Sequence, residues 1–281
     1  MGALEWLASE STTLPLLQLR MDELPLPGEA RELHVSTATG LVALDEAREG
    51  CIGALIRTPG GNALSTTPLL EIRQVYRREV GAMVDLVAVG RASVGSIDQE
   101  GRCILAREPR MVCDIDKPFP LEQDALLDEL RLLESERNAM HSRLARRGDA
   151  ACGSAAPQCG VESMDEAAAW MREELCSYDL DRPPAQHLHR LHELWGIGLP
   201  WDAQQQSALL LEQGAGANAE RQAARQLASF AAFAHAPAMQ RVVALGHKST
   251  LERLHYARTC ALKTRAKLAA QLAVTEALSP A

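Results

Sequence analysis

The stretch LPLLQLRMDELPLPGE, residues 14–29, decides how the fold begins. Pro25 and Pro27 each lack a backbone N–H donor and disfavour helical geometry at the residue before them, so a helix is excluded here. Residues 14–20 therefore predict an edge strand with leucines on both faces. The chain then continues as a loop that turns at Gly28, where Pro-Gly is a strong turn signal.

The next ninety residues or so continue as β structure, because short apolar runs alternate with turn signals. Residues 70–76 alternate in polarity, and residues 83–90 are predicted to be their hairpin partner. Residues 38–48 (ATGLVALDEAR) instead have helical spacing and predict one short helix. Many short strands at close spacing favour a small barrel or sandwich. The remaining predicted strands are 51–58, 92–97 and 102–106, the last two forming a hairpin.

From residue 120 onward the apolar period becomes helical. Leucines and a methionine recur every three, four or seven residues over 120–147, and the charged remainder of that helix is predicted to be a solvated face. Capping boxes at 163–166, 202–205 and 249–252 open further helices. The predicted class is α+β, a small N-terminal β-barrel or sandwich followed by a C-terminal helical bundle. Its units are a β domain (12–113), a long connecting helix (120–147), a flexible linker (148–160) and a helical domain (161–277).

Composition narrows the classes of partner. Acidic residues outnumber basic ones 37 to 29, the net charge is −8 and aromatics are only 4%, which argues against nucleic acid as the partner. No apolar run approaches the roughly 20 residues that span a bilayer. The seven cysteines contain no C-x-x-C pair and predict reduced thiols. We expect a soluble intracellular, cytoplasmic protein with protein partners and no membrane partner, with import into an organelle left open.

Several short motifs resemble the Lon protease N-terminal domain family. The opening stretch is similar to that family's first strand and loop, and residues 51–94 are similar to the strands that end in its Gly-x-x-Arg-hydrophobic segment, although Arg91 stands one place early. Ser249-Thr250-Leu251-Glu252-Arg253-Leu254 is similar to a segment of the family's helical half. Residues 36–40 depart from the family pattern, which has an acidic-proline-aromatic step there. The opening motifs are Leu14-Pro15-Leu16, Met21-Asp22-Glu23, Leu26-Pro27-Gly28 and Leu33-His34-Val35.

This resemblance implies a PUA-like β domain and a helical bundle that together recognise polypeptides. No G-x-x-x-x-G-K-[ST] phosphate-binding motif occurs in the sequence, so the resemblance implies a stand-alone member without the ATPase and protease domains. The expected function is a non-catalytic recognition module, an adaptor in protein quality control. Two alternatives remain: an RNA-binding PUA-like module, and a metal- or thiol-dependent enzyme.

The candidate chemical residues all have simpler structural interpretations. His189 and His192 could share a helix face and bind a metal, but an amphipathic helix with its leucines and tryptophan buried is the favoured explanation of HLHRLHELW. Cys152 and Cys159 could form a redox pair within the predicted linker, while the cysteines in strand runs are expected to be core residues. We therefore predict no catalytic residue, no metal ligand and no cofactor. His34 is expected to be a partly buried strand histidine, and Asp114 and Asp116 to be solvated turn acids.

Met21, Leu24 and Leu26 are the candidate partner-binding residues. The loop that carries them is stiffened by prolines and has too many apolar side chains for a solvated tip. Either they pack on the helical half or they form an apolar patch that holds a partner. The basic residues of the last helix are expected to form its polar face; they are Arg253, Arg258, Lys263, Arg265 and Lys267.

Overall fold

The computed structural model describes residues 13–47, 50–112, 114, 120–146, 163–177 and 213–278. Within this part of the chain the strands come first and the helices follow, with one short helix among the strands, so the predicted α+β class is confirmed. The strands are β1 (Thr13–Leu19), β2 (Ala30–Val35), β3 (Cys51–Ile56), β4 (Thr66–Arg77), β5 (Ala82–Ser93), β6 (Ser96–Glu100), β7 (Cys103–Arg107) and β8 (Arg110–Met111). The helices are α1 (Ala38–Glu46), α2 (Pro120–Arg146), α3 (Met164–Ser177), α4 (Gln213–Ala231), α5 (Ala238–Gly246) and α6 (Thr250–Leu278), and a 3₁₀ turn spans Met21–Glu23.

The strands form one mixed sheet in the order β2-β5-β4-β3-β1-β7-β6, and β8 pairs with β5. All pairs are antiparallel except β1 with β3, which is parallel. The long hairpin of β4 and β5 confirms the predicted pairing of residues 70–76 with 83–90. Its strands are joined by the turn at residues 78–81. The other hairpin is shifted from its prediction, because residues 92 and 93 still belong to β5 and β6 begins at Ser96.

The prediction that residues 14–20 form an edge strand is wrong, because β1 lies between β3 and β7. Pro15 would be expected to disfavour an inner position, since proline cannot donate to a ladder. The structure accommodates it because the ladder between β1 and β3 begins only at Leu16, one residue later. All four leucines of β1 are buried, as is typical of a strand that is covered on both faces.

Local capping signals place the helices as expected. The predicted helix over 38–48 is α1, where the Thr37 hydroxyl accepts a hydrogen bond from the Gly40 N–H at 3.1 Å. The capping box at Ser163 is formed in both directions, with Glu166 reaching back to the Ser163 N–H. Ser249 caps the start of α6 through the Glu252 N–H. The predicted box at 202–205 and the predicted linker lie outside the described residues.

One hydrophobic core runs through both the sheet and the helices. It contains buried residues of β1, β3, β4 and β5 together with residues of α2, α3, α4, α5 and α6. Gly28, in the loop before β2, shows how closely the two parts approach: a Cβ at this position would lie 2.8 Å from Met171 Cβ and 2.9 Å from Leu227 Cδ1. Such distances are shorter than van der Waals contact, so the loop can meet α3 and α4 only with glycine here.

Helices α2 and α6 pack side by side and run parallel. Their ion pairs show the direction, since Glu129 pairs with Arg258, Glu136 with Arg265 and Glu276 with Arg143. The charged side chains of α2 that form these pairs remain partly exposed, so the charged face of residues 120–147 is solvated as predicted and also pairs with α6 along its edge. A small second hydrophobic cluster lies between α2 and α6 toward their C-terminal ends; its members are Met140, Leu144, Leu268 and Leu272.

The turn between β4 and β5 depends on Gly81. Its φ is +83°, and a Cβ there would lie 2.4 Å from the carbonyl oxygen of Val35, the last residue of β2. Gly61 has a similar φ of +80°, but a Cβ there would meet nothing within 4 Å. The two glycines therefore separate the cost of backbone strain from the cost of a steric clash.

We expect Gly61→Ala to lower the free energy of unfolding by about 1–2 kcal/mol, the cost of a left-handed conformation. Gly81→Ala should cost about twice as much, because forcing atoms into a filled space adds about 1–3 kcal/mol. Urea denaturation followed by circular dichroism measures both. Equal losses in the two variants would contradict the close approach of Gly81 to β2.

Candidate functional site

The motif residues that resemble the family converge on a buried carboxylate. Asp114 accepts hydrogen bonds from Arg91 at 2.5 Å, from Arg253 Nη1 at 2.8 Å and from the Thr250 hydroxyl at 3.1 Å. Arg253 Nη2 contacts the second carboxylate oxygen. All four residues are buried. We call Arg91, Asp114, Thr250 and Arg253 the Asp114 network; it joins the end of the β region to the start of α6.

The network also caps the corner between α5 and α6. Arg91 donates to the carbonyl oxygens of Leu245 at 2.8 Å and His247 at 2.5 Å, at the end of α5. The Arg253 guanidinium lies 4.0 Å from the centroid of the Phe230 ring and donates through Nε to the Ser229 hydroxyl. Helix C-terminal carbonyls have no partner within the helix, so these arginines supply the missing donors. The arrangement stabilises the junction and leaves no charged group open to a substrate.

Two expectations from the sequence are corrected here. Asp114 is a buried acceptor and not a solvated turn acid, because two guanidiniums compensate its charge. Burial alone would raise the pKa of Asp114, but Arg253, Arg91 and the Thr250 hydrogen bond together hold it below the usual value. Arg253 belongs to the interior and not to a polar helix face. Arg258 and Arg265 of the predicted basic stripe face α2.

A second buried ion pair fixes α5 to the loop between β1 and β2. Arg241 of α5 pairs with Glu29, donates to the Leu24 carbonyl oxygen at 2.7 Å and to those of Phe233 and Ala234 at 3.1 Å. Glu29 also accepts from the Leu26 N–H at 3.0 Å. We call Glu29 and Arg241 the Glu29 pair. It holds the proline-containing loop against the helices and so determines which side chains of that loop are exposed.

That loop buries two of the three candidate partner-binding residues. Leu24 and Leu26 have no exposed surface and belong to the main core, which the sheet and the helices share. A docking patch needs exposed side chains, and these two leucines provide none in this structure. Met21, on the 3₁₀ turn, is only partly buried.

Helix α5, which contacts the 3₁₀ turn that carries Met21, adds exposed apolar side chains. The helix packs against the 3₁₀ turn, and on it Met239 and Val243, spaced i and i+4, are 50% and 38% exposed. We call Met21, Met239 and Val243 the methionine surface. Sequence reasoning found Met21 but missed the other two, although an apolar pair with i, i+4 spacing on a short helix was the available signal.

The candidate residues for other chemistry are dispersed. Among the described residues no three histidine, cysteine or acidic side chains lie together as a metal site would require. Cys51 and Cys103 are buried, and burial raises the pKa of the Cys103 thiol. His34 is exposed on β2 rather than partly buried, and its Nε2 lies 3.1 Å from the Val80 carbonyl oxygen. The predicted His189 and His192 cluster and the Cys152 and Cys159 pair lie outside the described residues.

Comparisons with known proteins find similarity only among solved structures. Neither a family model nor a curated protein matches the sequence. The N-terminal domain of Mycobacterium avium complex Lon protease aligns with 77% of this chain and 98% of its own, at 17% identity and a TM-score of 0.34. A Lon N-terminal domain protein from Xanthomonas campestris aligns with 72% of this chain and 91% of its own, at 19% identity and a TM-score of 0.32.

Both structures are Lon N-terminal domains, the family that the motifs between residues 14 and 257 resemble. In the described part of this chain, none of the helices combines the length and the apolar character needed to cross a membrane.

Proposed function

We propose that the chain is a non-catalytic module that recognises polypeptides, and that the methionine surface is its contact site. The observation that carries the proposal is the exposure of Met239 and Val243 on a helix whose inner side is locked by Arg241. The family resemblance of the sequence motifs supports the same function. A recognition module of this kind would serve as an adaptor in protein quality control.

The chemistry of the methionine surface suits varied apolar clients. Methionine has three rotatable bonds and a polarisable sulfur, so it adapts to side chains of different shape. The Glu29 pair keeps α5 in place, which means that the helix itself does not have to be ordered when a client binds. Covering one such side chain contributes about 1–2 kcal/mol, since burial of apolar area is worth about 25 cal/mol per Å².

The test compares two pairs of exposed apolar residues. We expect Met239→Asp/Val243→Asp to weaken binding of a reduced, carboxymethylated and therefore permanently unfolded protein by about tenfold or more, because two apolar contacts are lost. The control is Leu132→Asp/Val274→Asp, which changes side chains that are 64% and 58% exposed on α2 and α6. Fluorescence anisotropy of the labelled unfolded protein measures both dissociation constants.

The control pair should bind within about twofold of the unchanged protein, which allows for small electrostatic effects of the added acids. Circular dichroism checks that each variant is folded. Equal binding by the two double variants would remove the methionine surface as the contact site. If the unchanged protein does not bind the unfolded protein at all, the proposed function itself is wrong.

A further inference from the structure

A second exposed surface lies at the turn end of the long hairpin, on the three strands β2, β5 and β4. Residues paired directly across antiparallel strands have their side chains on the same face. The register pairs His34 with Met83 and Met83 with Tyr76, and in the next row it pairs Glu32 with Asp85 and Asp85 with Gln74. These six side chains therefore share one face of the sheet. We call them the hairpin face: Glu32, His34, Gln74, Tyr76, Met83 and Asp85.

The hairpin face begins where helix α3 stops covering the sheet. Arg73, on the irregular part of β4, donates to the carboxylate and the backbone carbonyl of Glu174 near the end of α3. Beyond this contact Tyr76 is 50% exposed, the outer-strand residues Glu32 and His34 are exposed, and Met83 and Asp85 are partly buried. The face therefore offers an aromatic ring, a thioether and two carboxylates side by side.

The two carboxylates of the hairpin face are only partly compensated within the described residues, by the neighbouring Arg73. Glu32 stands directly opposite Asp85, and like charges in that position repel each other. Neither carboxylate forms an ion pair with a described residue, and the nearby Arg73 is bonded to Glu174. Burial raises the pKa of Asp85, as do Glu174 and Glu32, although Arg73 lowers it. A cation placed on this face would relieve the repulsion.

We propose that the hairpin face binds a lysine or arginine side chain of a client polypeptide whose apolar residues occupy other contacts. The proposal rests on the proposed function, because its occupant is a polypeptide. The Glu32 and Asp85 carboxylates form ion pairs with the ammonium or guanidinium group, and the face of the Tyr76 ring attracts the same cation. Met83 offers apolar surface to the hydrocarbon stem that both basic side chains carry. The contact makes recognition selective for basic residues, which apolar burial alone cannot do.

The test uses two labelled peptides that differ in one functional group, a charged guanidinium in one and a neutral ureido group in the other. Each carries leucine and valine around one central residue, which is arginine in the first peptide and citrulline, its uncharged isostere, in the second. We expect the protein to bind the arginine peptide about five- to tenfold more tightly at low salt, with the preference shrinking at high salt because exposed charges are screened. Anisotropy titrations at two salt concentrations measure this ratio.

Variants locate the effect on the hairpin face. Glu32→Gln/Asp85→Asn should abolish the preference and leave the citrulline peptide unaffected. The control Asp98→Asn/Glu100→Gln removes two exposed acids of β6, on the opposite edge of the sheet. This control variant should retain the preference for the arginine peptide.

Equal binding of the two peptides by the unchanged protein would overturn the inference. So would loss of the preference in the control variant, or a dimer that dissociates in the hairpin-face variant, because a second copy would then be the occupant. If the unfolded protein still binds at the methionine surface, each of these results leaves the proposed function standing. If neither the peptides nor the unfolded protein bind, both proposals fail.

Discussion

Asp114→Ala is expected to lower the free energy of unfolding by about 3–5 kcal/mol, the cost of leaving a buried charge without its partner. Two guanidiniums depend on this carboxylate, those of Arg91 and Arg253, and neither can reach water. Guanidinium chloride adds ionic screening, so urea denaturation is the appropriate measurement. Asp114→Asn keeps the shape and some of the hydrogen bonds, and it provides a folded comparison if the alanine variant does not fold.

The control for Asp114 is an aspartate with an exposed partner. Asp45 pairs with Arg77 at the surface, and Asp45→Ala should cost about 0–1 kcal/mol, as exposed ion pairs do. A loss for Asp114→Ala as small as that for Asp45→Ala would show that the Asp114 network does not stabilise the junction.

Acid should weaken the same network. Because the folded pKa of Asp114 lies below the unfolded value near 3.8, its contribution is complete above that value and is lost as the pH falls toward the folded pKa. The stability of the unchanged protein should therefore drop more steeply below pH 3.8 than that of Asp114→Asn, for which this carboxylate no longer titrates.

Arg241→Ala is expected to cost a similar 3–5 kcal/mol or so, because Glu29 then loses its main buried partner. The backbone oxygens of Leu24, Phe233 and Ala234 also lose a donor. Arg241→Lys retains the charge but not the forked donors, so an intermediate loss is expected. Urea denaturation again gives the free energies.

A matched arginine lies on α6. Arg258 pairs with Glu129 at a partly exposed site, and Arg258→Ala should cost about 0–1 kcal/mol. If Arg241→Ala were no more destabilising than Arg258→Ala, the Glu29 pair would not be what holds α5 against the loop.

Sequence patterns predicted the elements that depend on local signals. The α1 helix, the caps at Ser163 and Ser249 and the pairing of residues 70–76 with 83–90 follow from periodicity, capping boxes and turn residues, which act over a few positions. The edge position predicted for β1 was wrong, because pairing with β3 and β7 involves residues far away in the sequence; Pro15 fits this inner strand since the β1–β3 ladder starts one residue later.

The buried polar networks could not be predicted in the same way. Asp114 and Arg253 are 139 positions apart, and nothing near either residue in the sequence indicates that they meet. For Leu24 and Leu26 the sequence left two surroundings open and favoured packing on the helical half, but their complete burial in the shared core is seen only in the structure. The hairpin face was missed because it depends on the register of three paired strands. The sequence alone does not specify that register.

The distance along the chain between Asp114 and Arg253 also has a consequence for synthesis on the ribosome. Translation adds about 5–20 residues per second, so Arg253 follows Asp114 after about 7–30 seconds. During that interval the nascent β region has been made with Asp114 paired to Arg91 alone, and without the helices that complete the shared core. Until α6 has been made, the first half of the chain cannot bury the apolar side chains that the helices cover in the folded protein.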